Sequence, residues 1–283
     1  MPGEPQLAYG PGWRWAAGVV AVFSLALVPV VLLVLHDRPS DVGEVPYGAP
    51  ATYVEPPTTA SPGAAKLALR TLREASRTRT FWVLFVTFWI CGWSTNGLVG
   101  THFIPAAHDH GMPATTSAGL LALIGIFDLA GTIASGWLTD RVDPRYLLFG
   151  YYFLRGLSLL VVPLLLGPHV QVTLFLFVVF YGLDWVATVP PTVALCRIHF
   201  GVEKSGVVFG WVFASHMVGA GVAASYAGWI REGTGEYFWA WMTAGGLCVL
   251  AATLCFTIAA PRGHGQPTSR QDRAYKGRES ARR

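Results

Sequence analysis

The sequence predicts an all-α integral membrane protein with seven membrane-spanning helices, on the evidence of its composition and hydropathy pattern. The 283 residues are 53% hydrophobic and 13% charged, with a mean hydropathy of +0.45, whereas soluble domains carry about 25% charged residues. The apolar residues form continuous runs of about the 20 residues that a helix needs to cross a bilayer. Because these runs do not alternate apolar with polar side chains, they indicate helices and not barrel strands.

The order of the runs divides the chain into one span, a long connection and six spans joined by short loops. We expect an external segment 1–14, a first span 15–35, a cytoplasmic connection 36–79, a six-helix bundle 80–260 and a tail 261–283. The seven predicted spans are Trp15–Leu35, Phe81–Ala107, Ser117–Leu138, Tyr146–Gly167, Val170–Cys196, Gly206–Ile230 and Tyr237–Ala260.

The positions of lysine and arginine predict the orientation. If the spans alternate in direction, seventeen basic residues fall on one side of the membrane and two, Arg14 and Arg231, on the other, with Arg155 inside a span. Because loops rich in Lys and Arg stay in the cytoplasm, we expect a multi-pass protein of the cell (inner) membrane with its N-terminus outside and its C-terminus in the cytoplasm. The net charge of +4 then follows from topology and does not indicate nucleic-acid binding.

The cytoplasmic connection has two parts, and the chain ends in a basic tail. Residues 36–63 are rich in Pro, Gly and Thr, which is typical of a linker. Residues 64–78 predict a basic amphipathic helix suited to the anionic inner leaflet of the bilayer. Its basic residues recur at helical spacing: Lys66, Arg70, Arg73 and Arg77. The polar, basic tail 261–283 is expected to be disordered.

The sequence indicates neither an enzyme nor a cofactor or metal site, because no nucleophile or metal-ligand motif lies at membrane depth. The four cysteines form no CxxC pair and are expected to be packing residues: Cys91, Cys196, Cys248 and Cys255. A histidine-rich group near the outer end of the second span lacks the fixed spacing of a metal site: His102, His108, Asp109 and His110.

Three segments resemble the major facilitator superfamily of transporters. Gly136-Trp-Leu-Thr-Asp140-Arg141-Val-Asp143-Pro-Arg145 resembles the G-x-L-x-D-R-x-x-x-R motif that the family carries in the loop between its helices eight and nine. Gly12-Trp13-Arg14 resembles the GWR that often precedes the sixth helix. The segment 38–43, followed by Pro46-Tyr47-Gly48, resembles the stretch after helix six in the branch that contains monocarboxylate and oxalate–formate transporters.

This resemblance implies the C-terminal portion of that fold, helices six to twelve, with the span 15–35 equivalent to helix six. Facilitators bind substrate between two six-helix halves. The chain therefore looks truncated, and we expect it to be inactive alone and to need a first half from upstream residues or from another chain.

The resemblance also implies a gating latch in the loop motif, which in the family holds the outward-open state. Gly136 is expected to allow close approach of a neighbouring helix, and Asp140 to face the positive N-terminal end of another. Arg141 and Arg145 are expected to hold the cytoplasmic side through charge and hydrogen bonding. Solvated loop charges without a gating role are the alternative.

Four ionisable residues lie inside predicted spans, where burying a charge is costly and usually functional. They stand nine to twelve residues from the cytoplasmic ends of their spans: Asp128, Arg155, Asp184 and His216. At a rise of about 1.5 Å per residue, all four fall about 13–18 Å from the inner surface. Facilitators bind substrate and coupling ion in such a layer near the midplane.

Each of these residues has a predicted role and an alternative. Asp128 is the proton-carrying candidate, because desolvation favours the protonated form of a carboxyl. The monocarboxylate branch also carries an aspartate in its eighth helix, followed one turn later by an arginine, but that position is Thr132 here. His216, where oxalate-type relatives place a lysine, is a candidate to bind a carboxylate when protonated, or else a packing histidine. Arg155 and Asp184 are expected either to neutralise each other or to bind substrate.

Small residues and prolines predict the packing and shape of two spans. Gly206-x-x-x-Gly210 opens a run of small side chains that predicts a closely packed helix face. Pro190-Pro191, six residues beyond Asp184, predicts a bend in the span 170–196.

The function that these observations favour is proton-coupled transport of a small organic anion, such as a monocarboxylate, by alternating access. The expected partners are that substrate, the proton and the lipid bilayer. An efflux facilitator for neutral or amphiphilic compounds is the first alternative. A non-transporting seven-helix sensor is the second, although a retinal-binding version fails because the only lysines, Lys66, Lys204 and Lys276, lie outside the spans.

Overall fold

A computed structural model describes residues 12–36, 38–45 and 63–259. The tail 261–283, most of the N-terminal segment and the Pro46-Tyr47-Gly48 part of the linker lie outside these residues. The described chain contains helices and turns and no strand. Seven of its helical segments are long and apolar enough to cross a membrane, which confirms the predicted fold class and number of spans: Ala17–Val34, Arg79–Asp109, Ala114–Thr139, Pro144–Leu165, Val172–Phe200, Val202–Thr234 and Phe238–Cys255.

Contacts divide the chain into two units, 1–62 and 63–283. The first unit contains α1 (Gly12–Val34), whose mean hydropathy reaches 2.8 over Ala17–Val34. A single 3₁₀ turn follows at Pro39–Val42 and ends at Gly43, whose φ of 75° suits glycine.

The second unit is a bundle of six spans preceded by a short helix. Its helices are α2 (Ala64–Ala75), α3 (Arg79–Gly92), α4 (Gly100–Asp109), α5 (Ala114–Thr139), α6 (Pro144–Leu165), α7 (Val172–Asp184), α8 (Val189–Phe200), α9 (Val202–Thr234) and α10 (Phe238–Cys255). The predicted helix 64–78 ends at Ala75 because Thr78 starts the next helix: its hydroxyl oxygen accepts a hydrogen bond from the Phe81 amide at 3.3 Å.

The α2 helix packs against the bundle through its apolar face. Thr71 and Ala75 are buried, and the indole nitrogen of Trp211 on α9 donates a hydrogen bond to the carbonyl of Ala68 at 3.2 Å. Glu74 accepts hydrogen bonds from Lys204 at 2.6 Å and from Arg70 of its own helix at 3.0 Å. The apolar face of α2 is thus packed on α9. Of the four predicted basic residues, Lys66, Arg70 and Arg73 lie exposed on the helix and Arg77 lies exposed just beyond its end.

Two of the six spans are interrupted near their middle. A π-helical segment, Trp93–Val99, joins α3 to α4. The regular helical hydrogen bonding is interrupted between α7 and α8, where residues 185–188 form turns just ahead of Pro190 and Pro191. Proline lacks an amide hydrogen and disfavours helix at the preceding residue, so the predicted bend takes the form of a break.

The span formed by α3, the π-helical segment and α4 is the centre of the bundle. Its apolar window is 72% buried, against 22–44% for the other five spans of this unit. Glycines allow α9 to approach it: a β-carbon at Gly219 would overlap the carbonyl of Trp89, and one at Gly97 would overlap α9. The run of small residues predicted from Gly206 packs closely only in its later part: no described atom lies within 4 Å of where a β-carbon of Gly206 or Gly210 would be, whereas Ala220 lies directly against Gly97.

Candidate functional site

The candidate site is built around the break at residues 185–188. A break frees backbone amide and carbonyl groups, and in a membrane these must find partners within the protein because the bilayer core offers none. Side chains from two other spans, α5 and α6, supply those partners. Three of the four ionisable residues predicted at the midplane take part directly.

Arg155, on α6, holds the start of the break. Its Nε donates to Oδ2 of Asp184 at 2.5 Å, and its Nη2 donates to the backbone carbonyls of Asp184 at 2.5 Å and Trp185 at 3.2 Å. Its Nη1 donates to Sγ of Cys91 at 3.1 Å. The Arg155 side chain is 0% exposed. The guanidinium group is therefore paired in charge, each of its three nitrogens donates at least one hydrogen bond, and the side chain is buried.

Asp128, on α5, holds the middle of the break. Its Oδ1 accepts a hydrogen bond from the backbone amide of Val186 at 2.9 Å and another from the Thr132 hydroxyl at 3.2 Å. Thr132 occupies the position where the monocarboxylate branch carries an arginine. Asp128 therefore bonds to a neutral hydroxyl and a backbone amide where those relatives offer a cation. Its side chain is half-buried.

Two polar residues that sequence reasoning missed complete the support. The Ser135 hydroxyl donates to the carbonyl of Ala187 at 2.5 Å, and the Thr188 hydroxyl lies 3.4 Å from Sγ of Cys91. Ser135 was detectable, because residues spaced i, i+4 and i+7 share a helix face and Asp128, Thr132 and Ser135 have that spacing. Cys91 lies in the buried core, as a packing residue does, and its sulfur also contacts Arg155 and Thr188; nothing in the sequence distinguished it from the other three cysteines.

His216, on α9, approaches the same cluster from the opposite side. Its ring packs against Phe88 and Phe213, with centroid distances of 5.2 and 5.5 Å, and its side chain also interacts with Cys91. The residue is 8% exposed, and its Nδ1 has no hydrogen-bond partner among the described residues. The same is true of Oδ1 of Asp184. The cluster therefore keeps one buried ring nitrogen and one buried carboxylate oxygen able to bind a proton or a polar ligand.

The loop motif lies apart from this cluster, at the end of α5. Arg145 donates to both carboxylate oxygens of Asp143, with a closest distance of 2.8 Å, and to the carbonyl of Ile258 beyond α10 at 3.1 Å. Arg141 donates to the carbonyl of Trp137 at 2.9 Å and lies 4.0 Å from the centre of its ring. Burial alone raises the pKa of the Asp143 carboxyl. The hydrogen bonds and the charge of Arg145 together lower it by more, so the pKa lies below its ordinary value.

Two expectations for the motif have different outcomes. The close helix approach expected at Gly136 is absent from the described chain, because no atom lies within 4 Å of where its β-carbon would be. Asp140 lines a cavity of about 640 Å³ together with Val202, the first residue of α9. The facing of Asp140 toward a helix N-terminus stays a prediction.

The histidine-rich group at the other end of the bundle forms hydrogen bonds within the protein. Nε2 of His102 pairs with the carbonyl of Ala224 at 2.9 Å, and its Nδ1 pairs with the Tyr237 hydroxyl at 3.2 Å. Asp109 accepts two hydrogen bonds from Arg231, both at 2.8 Å. Among the described residues, no group of three or more His, Cys, Asp or Glu side chains is placed to hold a metal ion.

Six spans with two central interruptions and a charged layer at the break match the family that the loop motif suggests. The family model for the major facilitator superfamily matches residues 5–224. The chain belongs to the major facilitator superfamily. Members of this superfamily are membrane transporters, and the match covers α1, the connection and most of the six-helix bundle.

Individual relatives in the superfamily are distant and longer. The chain is 29% identical over 183 residues to an MFS-type transporter, YcxA of Bacillus subtilis, covering 64% of this chain and 42% of the relative. It is 27% identical over 267 residues to monocarboxylate transporter 13 of Bos taurus, covering 91% of this chain and 55% of the relative. The chain thus spans about half the length of the curated relatives that it matches.

Solved structures support the fold. The crystal structure of the transporter FucP in its outward conformation aligns with a TM-score of 0.56 at 17% identity, covering 85% of this chain and 53% of that chain. A variant of the E. coli fucose:proton symporter FucP aligns with a TM-score of 0.54 at 16% identity, covering 67% of this chain and 45% of that chain. At these identities the likeness concerns the facilitator fold alone.

Proposed function

We propose that this bundle is the C-terminal half of a proton-coupled transporter of small organic anions such as monocarboxylates, working by alternating access. The observation that carries the proposal is the hydrogen bond from the Val186 amide to the Asp128 carboxylate, at 2.9 Å. It joins the proton-carrying candidate directly to an interrupted helix, and interrupted helices are where transporters of this kind bind substrate and change shape.

The coupling proposed at Asp128 follows from hydrogen-bond chemistry. A charged carboxylate accepts an amide hydrogen bond about twice as strongly as a neutral group does. Protonation of Asp128 removes that charge, weakens its hold on Val186 and lets the 185–188 segment move. Loss of the proton on the other side of the membrane re-forms the hydrogen bond. The half-buried position of the carboxyl supports this role, since proton exchange needs a path to water.

His216 is proposed as the cation that attracts the substrate carboxylate. Its unpaired Nδ1 can carry a proton, and a protonated imidazole pairs with carboxylates. Arg155 is proposed as a structural residue, because Asp184 and two backbone carbonyls already use its donors. This choice between the two alternatives for the Arg155–Asp184 pair rests on its complete burial.

The loop motif is proposed to act as the latch, and the bundle to lie in the cell membrane with the loop motif and the C-terminus in the cytoplasm. The contacts of Arg145 to Asp143 and to the carbonyl of Ile258 support a latch, because they tie the start of α6 to the end of α10. The lysine and arginine distribution supports the orientation.

The choice of organic anions rests on the printed names of several relatives, which are monocarboxylate transporters. The experiment is uptake of radiolabelled lactate in proteoliposomes by the native protein assembled with the first half that it needs, with and without an inward proton gradient. We expect the gradient to stimulate uptake in the native protein and to have no effect in Asp128→Asn. The matched control is Glu232→Gln, which removes an exposed carboxylate that has no partner among the described residues. It should behave like the native protein.

Two results would overturn the proposal. Gradient-dependent uptake that persists in Asp128→Asn would remove Asp128 from the coupling mechanism. Uptake of neutral amphiphiles without any uptake of lactate, pyruvate or oxalate would favour the efflux alternative.

A further inference from the structure

The central span of the bundle exposes only a narrow stripe of residues in its inner half and middle. Along α3 and the π-helical segment the exposed positions from Phe81 onward are Trp82, Val86 and Asn96, followed by Gly100 and Thr101 at the start of α4. Asn96 is the one amide among them, and it lies near the middle of the 31-residue span.

The side-chain amide of Asn96 has no hydrogen-bond partner among the described residues. An amide facing the hydrocarbon of the bilayer without a partner is unfavourable by a few kcal/mol. The stripe is therefore expected to face the space between the two halves of the transporter, where water or a ligand can reach it.

The backbone around Asn96 is held in place by neighbouring side chains. The Thr101 hydroxyl donates to the Asn96 carbonyl at 2.9 Å, and the Tyr181 hydroxyl of α7 donates to the Ser94 carbonyl at 2.8 Å. Segments of π-helix are frequent at functional sites, because the wider turn displaces side chains from regular helical positions. Here the π-helical segment fixes the direction of Asn96.

The π-helical segment and the 185–188 break lie next to each other. The ring of Trp185 is 3.7 Å from where a β-carbon of Gly100 would be, and Cys91 is 3.4 Å from Thr188. Two neighbouring spans are thus interrupted at the same place. Interrupted helices form the substrate sites of many secondary transporters because their freed polar groups and side chains can reach a ligand.

We propose that Asn96 donates a hydrogen bond from its side-chain amide to the carboxylate of a small organic anion, with the Trp185 ring as an apolar wall beside it. This proposal rests on the proposed function. Arg155 cannot supply this donor, since it is already paired with Asp184. Asn96 therefore adds a neutral hydrogen-bond donor to the charge attraction that the proposed function assigns to His216.

The test is the concentration dependence of lactate uptake by the native protein and three variants in proteoliposomes. We expect Asn96→Asp to raise KM at least tenfold, because its carboxylate repels the substrate, and Asn96→Ala to raise KM about fivefold through loss of the donor. Ser225→Ala, an exposed hydroxyl bonded only within its own helix, is the control and should leave KM unchanged. Stimulation by the proton gradient should persist in Asn96→Ala, because Asp128 is intact.

The outcomes separate the two proposals. No lactate uptake by the native protein would defeat the proposed function itself. Native uptake with an unchanged KM in Asn96→Asp would overturn the role of Asn96 alone, and would favour a contact between Asn96 and the first half of the transporter. If Asn96→Asp fails to assemble, as judged by size-exclusion chromatography, Asn96→Ser should still raise KM while keeping the native unfolding temperature.

Discussion

The backbone amide of Val186 donates a hydrogen bond to the Asp128 carboxylate, at 2.9 Å, from one membrane span to another. Two other side chains also bond to this segment of backbone. Arg155 donates to the carbonyls of Asp184 and Trp185, and Ser135 donates to the carbonyl of Ala187. The break between α7 and α8 is therefore supported at nearly every position by residues from α5 and α6. This arrangement ties the charged residues of the bundle to the interrupted part of the backbone.

Removing one partner of the Arg155–Asp184 pair should strongly destabilise the bundle. Asp184→Ala leaves a buried guanidinium without a counter-charge, which costs about 3–5 kcal/mol. We expect a large fall in the unfolding temperature of the detergent-solubilised protein, followed by tryptophan fluorescence. The double variant Arg155→Leu with Asp184→Leu should be more stable than Arg155→Leu alone or Asp184→Leu alone, because it buries no unpaired charge. Equal losses of stability in these two single variants and the double variant would contradict the pairing.

Arg155→Lys tests whether the geometry of the guanidinium matters apart from its charge. A lysine keeps the charge but cannot reach Asp184, two carbonyls and Cys91 together, since it lacks the planar set of five donors. We expect this variant to unfold at a lower temperature than the native protein and at a higher one than Asp184→Ala. Native stability in Arg155→Lys would mean that the hydrogen bonds to the break contribute nothing.

Ser135→Ala should loosen the break without changing any charge. The Ser135 hydroxyl is buried and donates to the Ala187 carbonyl, and leaving a buried carbonyl unpaired costs about 1–3 kcal/mol. We expect faster hydrogen exchange of the amides at 185–190, measured by mass spectrometry in nanodiscs. Ser225→Ala removes a hydroxyl that is exposed and bonded within its own helix, and it should leave that exchange unchanged.

The docking of α2 should weaken in acid. Hydrogen bonds from Lys204 and then from Arg70 hold the pKa of Glu74 below its ordinary value of 4.5. Because the folded-state pKa is the lower one, the stabilisation is present above about pH 4.5 and is lost as the pH falls through the folded-state pKa. We expect lower protection factors in α2 at pH 3.5 than at pH 6, once the exchange rates are corrected for their intrinsic dependence on pH. In Glu74→Gln, protection at pH 6 should already be low and should change little on acidification, and an unaltered pH response would rule out Glu74 as the responsible group.

The membrane fold could be predicted because its determinants are local. The thickness of the bilayer requires apolar runs of about 20 residues. The sequence has seven such runs, and all seven are found as helices. The loop motif from Gly136 to Arg145 led to the family that the comparisons confirm. Each of these signals is carried by neighbouring residues, so no knowledge of packing was needed to read them.

The sequence by itself thus determined the fold class, the number of spans and the family, and it predicted a common depth for Asp128, Arg155, Asp184 and His216. Only the tertiary structure decided what those residues touch. Residues such as Cys91 and Arg155, or Asp128 and Val186, are 58 or more positions apart in the chain and meet through helix packing. The exposure of Asn96 likewise depends on which face of the central span the other helices cover. Depth follows from the rise of one helix, whereas partners follow from how several helices rotate against one another, and that rotation is set by packing over the whole bundle.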